Sequence, residues 1–267
     1  MKNATKYAPK IRKLFGKIKK EAQKDPPVET PGAVETLLLG ILSQSTTQKK
    51  AAEALARLTE STVDMNDLRV TPVAELVQII GVSYPKARPI SEEISSTLAS
   101  IYNQLHEVDL GVLKSLGKKA AASFLETLDG LSEHANAYFT LYHLGSAAVP
   151  LDENAHEYLL KTDHLPEGTS IEEAHKFLKT CFKEADAGAF SVALKLHARS
   201  SAGKKEMRGT AEAKKPRATK TSKTAKTAKT VKKTAPKTTK TKASAARTAT
   251  KSKAAPKKTV SKKKHRR

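Results

Sequence analysis

Between Ala213 and Arg267 the chain contains no Asp, no Glu and no aromatic residue. The same stretch holds 22 Lys and Arg, which accounts for the whole net charge of +22. The other 27 Lys and Arg are matched by 27 Asp and Glu, so the front part is formally neutral and long enough to bury a core. A single cysteine, Cys181, excludes an internal disulfide framework and a four-cysteine cluster, and it reads as a small apolar core residue. Long apolar runs are missing too, which argues against a membrane span. The N-terminus lacks an apolar signal core, which points to an intracellular protein.

Strand-like alternation is absent, and the front part reads as helix after helix. Thr30-Pro31 supplies an N-cap and a first-turn proline ahead of "AVETLLLGIL". Ser45 and Gln48 have capping-box spacing before "QKKAAEALARL". Thr71-Pro72 repeats the cap-plus-proline signal before "VAELVQII", which Gly81 can end in a left-handed turn. Ile90, Ile94, Leu98, Ile101 and Leu105 recur at three- and four-residue spacing, the mark of an amphipathic helix. Ser170 and Glu173 cap another, whose apolar face is Ile171, Ala174, Phe177, Leu178, Cys181 and Phe182. A last helix runs through "FSVALKLHA". The expectation is an all-α body of about ten helices with short connections.

Two segments leave alternatives open. "YAPKIRKLFGKIKKEA" puts Tyr7, Ile11, Leu14 and Ile18 on one face and lysines on the other. It is either a helix packed on the body or a basic membrane-surface or transit segment. From about Gly203 the composition turns Lys-, Thr- and Ala-rich, with lysine at Lys220, Lys223, Lys226, Lys229 and Lys232. With almost no apolar residues to bury, this tail is expected to be disordered when free. Nucleic acid is the favoured partner, with acidic proteins or anionic membrane as alternatives. Each phosphate neutralised steepens the salt dependence by about 0.9 log units, so about seven contacts give a slope near −6. Base stacking by the tail is not expected, for want of aromatics. In composition it resembles the tails of linker histones and of some bacterial nucleoid proteins.

Several stretches, in order, resemble the endonuclease III branch of the helix-hairpin-helix DNA glycosylases. They are "LLLGILSQSTTQKKAAEALARL", "PVAELVQIIGVSYPKARPI", "AAASFLETLDGLSEHANAYFTLYHLG", "VPLDENAHEYLL" and "SIEEAHKFLKTCFKEADAGAFSVALKLHARS", about two-thirds of the chain. The resemblance implies a two-lobed, all-α fold. One lobe spans about 33–145 with a hairpin at 120–145, the other 1–32 plus 146–202, followed by a basic tail, 203–267. It implies double-stranded DNA as partner, in the cytoplasm or nucleoid (the nucleus if eukaryotic), and no membrane. The hairpin amides of Gly130, Leu131 and Ser132 would hold a phosphate, as exposed helix N-termini do. Gln44, Ser45, Val82 and Ser83 stand where side chains fill the gap left by a flipped base, although capping and loop roles explain them as well.

The chemistry thins out at particular positions. A hairpin glycine of the family is replaced by Ser132, expected to resist positive φ, and Glu133 puts a carboxylate near the phosphate. The lysine that attacks the sugar in some relatives is matched by His134, which cannot form a stable imine. The family's catalytic aspartate is matched by Asp152, which is equally suited to cap the helix "ENAHEYLL". Its neighbours Glu153, Asn154 and Glu157 depart from the pattern, and their carboxylates are expected to disfavour an ionised Asp152 and to repel phosphate. The iron–sulfur motif that often follows the last helix is missing; no metal or other cofactor is expected. Two readings remain. One is a glycosylase-type DNA-binding protein, monofunctional if active, with lyase activity gone. The other is a catalytically silent relative that binds or compacts DNA through its tail.

Overall fold

A computed structural model describes residues 4–29 and 32–213, with side chains to 210. Thr30, Pro31 and the tail lysines from Lys220 to Lys232 lie outside the described residues. Among those described there are twelve α-helices and no strand, in line with the all-α expectation.

Ten of the helices are those marked by sequence: α1 (Ala4–Ile18), α2 (Ala33–Ser43), α3 (Gln48–Ser61), α5 (Val73–Ile80), α6 (Ala87–Leu105), α7 (Lys118–Glu126), α8 (Glu133–Tyr142), α9 (Glu153–Lys161), α10 (Ile171–Cys181) and α11 (Glu184–Arg199). Two were not expected. The short α4 (Met65–Val70) is capped by Asp64, which accepts from Asn66 N at 2.9 Å and Asp67 N at 2.7 Å. Helix α12 (Ser201–Ala213) crosses the expected start of the tail at 203. Ser200 caps it through Gly203 N, Glu206 accepts from the Tyr158 hydroxyl, and Met207 is its apolar anchor on the second cluster, a pattern that periodicity could not flag.

Cap positions also shift. The cap of α3 is Thr47, accepting from Lys50 N, and Ser45 lies in the preceding turn. Asp25, far upstream, accepts from Gln48 N at 2.8 Å and Lys49 N at 3.3 Å, a long-range cap that local spacing cannot reveal. Thr71 closes α4 by donating its hydroxyl to Asp67 O, while Pro72 opens α5. Gly81 ends α5 at φ 101°, and Ser170 caps α10 through Glu173 N, both as expected.

Buried apolar side chains form two clusters. The first joins α2, α3, α5, α6, α7 and α8; the second joins α1, α9, α10 and α11. Helix α8 serves both, giving Tyr138 and Phe139 to the first and Leu141 to the second. Helix α2 is apolar on nearly every side, which places it at the centre of its lobe. Gly40 lets it approach α8: a Cβ there would come within 3.1 Å of Tyr138 and 3.3 Å of Ala135. In the second cluster Phe15, Phe182 and Phe190 meet edge to face and stacked, with centroids 4.4–5.7 Å apart. Tyr7, Ile11, Leu14 and Ile18 of α1 are buried there, so the N-terminal helix packs on the body. Cys181 is a free, buried thiol. No helix among the described residues is long and apolar enough to cross a membrane.

Candidate active site between the lobes

Ser132 and His134 of the hairpin face the start of α9 across a cavity of about 210 Å3, with Gln44, Ser45 and Asp152 in the same wall. Five residues singled out by sequence therefore meet in one place. Val82 and Ser83 do not line it; they are exposed on the loop after α5. Gly130, at φ 80°, turns away against α6, where a Cβ would collide with Ser96 Oγ at 2.0 Å. Leu131 is half-buried on the first cluster.

Asp152 is the N-cap of α9, and Oδ1 accepts from Ala155 N at 2.7 Å. Its other oxygen accepts from Arg199 Nη2 at 2.6 Å, with the aspartate side chain only 3% exposed. The same Nη2 donates to the Gln44 carbonyl at 3.3 Å, so Arg199 ties the aspartate to the loop after α2. Glu133, Glu153 and Glu172 line the same cavity, and two of the carboxylates next to Asp152 have their own cations. Glu153 pairs with Lys86 at 2.5 Å and Glu157 with Lys161 at 2.5 Å. Lys86–Glu153 is also a strap between α6 and α9.

His134 is buried, with Nε2 at 3.2 Å from Ser43 Oγ. Its Nδ1 lies near the Leu151 backbone but makes no hydrogen bond of normal geometry. Burial first, and then the neighbouring Lys195 cation, hold the imidazole well below its usual range, so it is neutral at pH 7. Behind it, Lys195 is buried and donates to the Ser43 carbonyl. Burial pulls this amine down to about 8, against the opposing pull of Asp152. Neither Lys195 nor Arg199 was singled out from sequence. The available signal was a lysine amid the apolar positions of "FSVALKLHAR", followed by an arginine one helical turn later.

The hairpin corrects another expectation. Ser132 sits at φ −72°, as an N-cap whose hydroxyl accepts from Ala135 N at 3.2 Å. Extended backbone there costs serine nothing; positive φ falls on Gly130 instead. More consequential is Glu93 of α6. One of its oxygens accepts from Ser132 N at 3.0 Å and the other from Gln44 Nε2 at 2.7 Å. A carboxylate thus already occupies a hairpin amide, and burial raises its pKa. Among the described residues no group of three His, Cys, Asp or Glu is placed to hold a metal.

A two-lobed helical body, with a helical hairpin facing a carboxylate-capped helix, defines a DNA-glycosylase-like helix-hairpin-helix fold. Solved structures bear this out. The chain aligns with an endonuclease III–DNA complex at TM-score 0.56 and 18% identity, covering 75% of this chain and 98% of that one. A trapped endonuclease III–DNA covalent intermediate gives 0.55 and 17%, covering 75% and 99%. A thermostable thymine-DNA glycosylase gives 0.51 and 16%, covering 72% and 87%. No protein-family model matches the sequence, and no curated protein does. The particular fold is that of endonuclease III, at identities where the likeness concerns architecture alone.

Proposed function

We propose that the chain binds double-stranded DNA as a protein of the base-excision-repair glycosylase type. In this reading it hydrolyses the N-glycosidic bond of a flipped nucleotide without lyase action. The observation that carries it is Asp152, held as the N-cap of α9 in the same cavity as the hairpin residues Ser132 and His134. An ionised carboxylate there would stabilise positive charge on the sugar as the bond to the base lengthens, and would orient water. For that, Arg199 has to release Oδ2, because a paired guanidinium cancels the field that the sugar cation would feel. His134 cannot form a stable imine, and it replaces the amine that would attack the sugar. In this reading Gln44 and Ser45, which line the cavity, would fill the gap left by the flipped base, together with Val82 and Ser83 on the exposed loop after α5. The lysines from Lys220 to Lys232 would add a sequence-independent hold on phosphates.

One observation favours a second reading, a catalytically silent DNA-binding or DNA-compacting protein. Both oxygens of Asp152 are engaged, and Glu93 fills the Ser132 amide. Incubation with duplexes carrying oxidised, deaminated and mispaired bases separates the two. Free base released by the wild type and lost in Asp152→Asn supports the enzyme; binding without release across the panel supports the silent protein. Borohydride should trap no adduct on abasic DNA, and an adduct mapped to the body overturns the lyase assignment. Removing residues 214–267 should flatten the salt dependence of binding; an unchanged slope sinks the tail's role.

A further inference from the structure

A second cavity, of about 470 Å3, opens beside the cleft and shares Ser45 and Asn154 with it. Its wall is drawn from the loop after α2, the first turn of α9, the end of α11 and the start of α12. Among the described residues, the side chains of Ser45, Asn154 and Lys204 make no hydrogen bond or ion pair. Arg199 also lines it, spending Nη2 on Asp152 and Gln44 while its buried Nε finds no partner. The one carboxylate of the wall, Glu157, is taken by Lys161.

Groups able to donate therefore converge on this space, with no unpaired carboxylate among them. A guanidinium, an ammonium, an amide and a hydroxyl form the set that charge-assisted recognition of a phosphate uses. Two further features fit a strand that runs on from the cleft. Ser45 and Asn154 belong to both cavities, so a ligand in one continues into the other. Lys204 stands on α12, which leads toward the basic tail.

We propose that this cavity is a phosphate subsite, taking one backbone phosphodiester of the DNA strand whose nucleotide enters the neighbouring cleft. The assignment rests on the DNA-binding reading above. It gives α12 a role: the helix presents the Lys204 cation in the wall of the cavity beside the cleft, where a tail beginning at 203 would have offered no fixed group.

The test uses the full chain and a duplex with one abasic analogue, flanked by a single neutral methylphosphonate moved stepwise along the strand. Wild-type protein should lose about tenfold in affinity at one position near the abasic nucleotide. Lys204→Ala should lose a similar factor on the all-phosphate duplex and nothing more when that position is already neutral. Asn154→Ala should couple to the same position; being a neutral change, it cannot act through the general field. Lys204→Arg should restore binding. Lys205→Ala, an exposed neighbour outside the cavity wall, should couple to no single phosphate. Equal losses in Lys204→Ala and Lys205→Ala with no coupled phosphate overturn the subsite and leave DNA binding standing. Saturation by inorganic phosphate without such coupling assigns the cavity to a free anion and overturns the DNA assignment. A chain that binds no duplex removes the DNA-binding reading itself, and the subsite with it.

Discussion

On one side of the cleft the hairpin presents Glu133 and is backed by Glu93, whose carboxylate holds both the Ser132 amide and Gln44. On the other side Asp152 is paired with Arg199, and Lys195 and Lys204 stand on the same pair of consecutive helices. The resemblance assigns phosphate grip and amine to the hairpin. Here the hairpin wall is acid-backed, Lys86 at the start of α6 is paired with Glu153, and Lys195, Arg199 and Lys204 sit on α11 and α12. On the DNA-binding reading proposed above, the two walls would have exchanged which of them attracts a polyanion.

The sharpest way to break the comparison is to remove the cation that fixes the Asp152 wall. Arg199→Met leaves a nearly fully buried carboxylate without its hydrogen-bonded counter-charge, with Lys195 the remaining cation that feels it; breaking a buried pair costs about 3–5 kcal/mol. Urea denaturation at pH 7 measures it. Combining Arg199→Met with Asp152→Asn should recover much of the loss, because the stranded charge is then gone. A loss below about 1 kcal/mol, in the range of exposed ion pairs, would show that this pair does not hold the wall together.

Next in size is Lys195, and here the sign reverses. Its folded pKa of about 8 lies below the 10.5 of an exposed lysine, so the unfolded chain binds more protons between those values. Stability contributed by this group therefore rises with pH through that window and is lost as pH falls toward 8. Lys195→Met, similar in volume, should stabilise the protein by about 3 kcal/mol at pH 7, given about 1.4 kcal/mol per pKa unit over the fall from 10.5 to about 8. The gain should vanish near pH 10.5. Taking the difference from wild type cancels the opposite trend of Tyr142, whose hydroxyl is pushed up to about 12 by burial. A destabilised Lys195→Met would mean that its bond to the Ser43 carbonyl outweighs the burial of charge.

What sequence made legible follows the range of the interaction. Cap and proline signals, apolar spacing and the family resemblance together placed ten helices; apolar spacing works because burial of one face repeats along a helix and leaves its period in the chain. Asp152 was legible because its local role, capping α9, and its expected chemical role ask for the same residue. Glu93 and Arg199 were not, since their partners lie far along the chain. Glu93 reaches Ser132 and Gln44, and Arg199 reaches Asp152 and Gln44, contacts that no periodicity encodes. The cap of α3 failed only partly for that reason: Thr47, two residues on from Ser45, is the local cap, and Asp25 adds to it from a distance. Helix α12 escaped notice because its composition reads as tail and its anchors are few.

Glu93 gives the third test, aimed at the hairpin wall. Glu93→Gln keeps the size of the side chain and one acceptor oxygen for the Ser132 amide, gives up the second acceptor facing Gln44, and removes the charge from behind the hairpin. Duplex affinity at fixed salt should rise about tenfold, or about 1.4 kcal/mol, by fluorescence anisotropy. A drop in affinity would instead make Glu93 an orienting group that the hairpin needs for binding.

The smallest effect concerns the hairpin residue that departs from the family's glycine. If Ser132 were strained, Ser132→Gly would stabilise the protein. Its φ of −72° and its bond from Ala135 N argue the other way. An N-cap hydroxyl is worth about 1 kcal/mol against alanine and only a few tenths against glycine, since glycine leaves the helix end open to water. Ser132→Ala should thus lower stability by about 1 kcal/mol and Ser132→Gly by less, both by urea denaturation. A stabilising Ser132→Gly would show that the backbone of this hairpin is under strain at 132. That would make the hairpin wall the weaker of the two on conformational as well as electrostatic grounds.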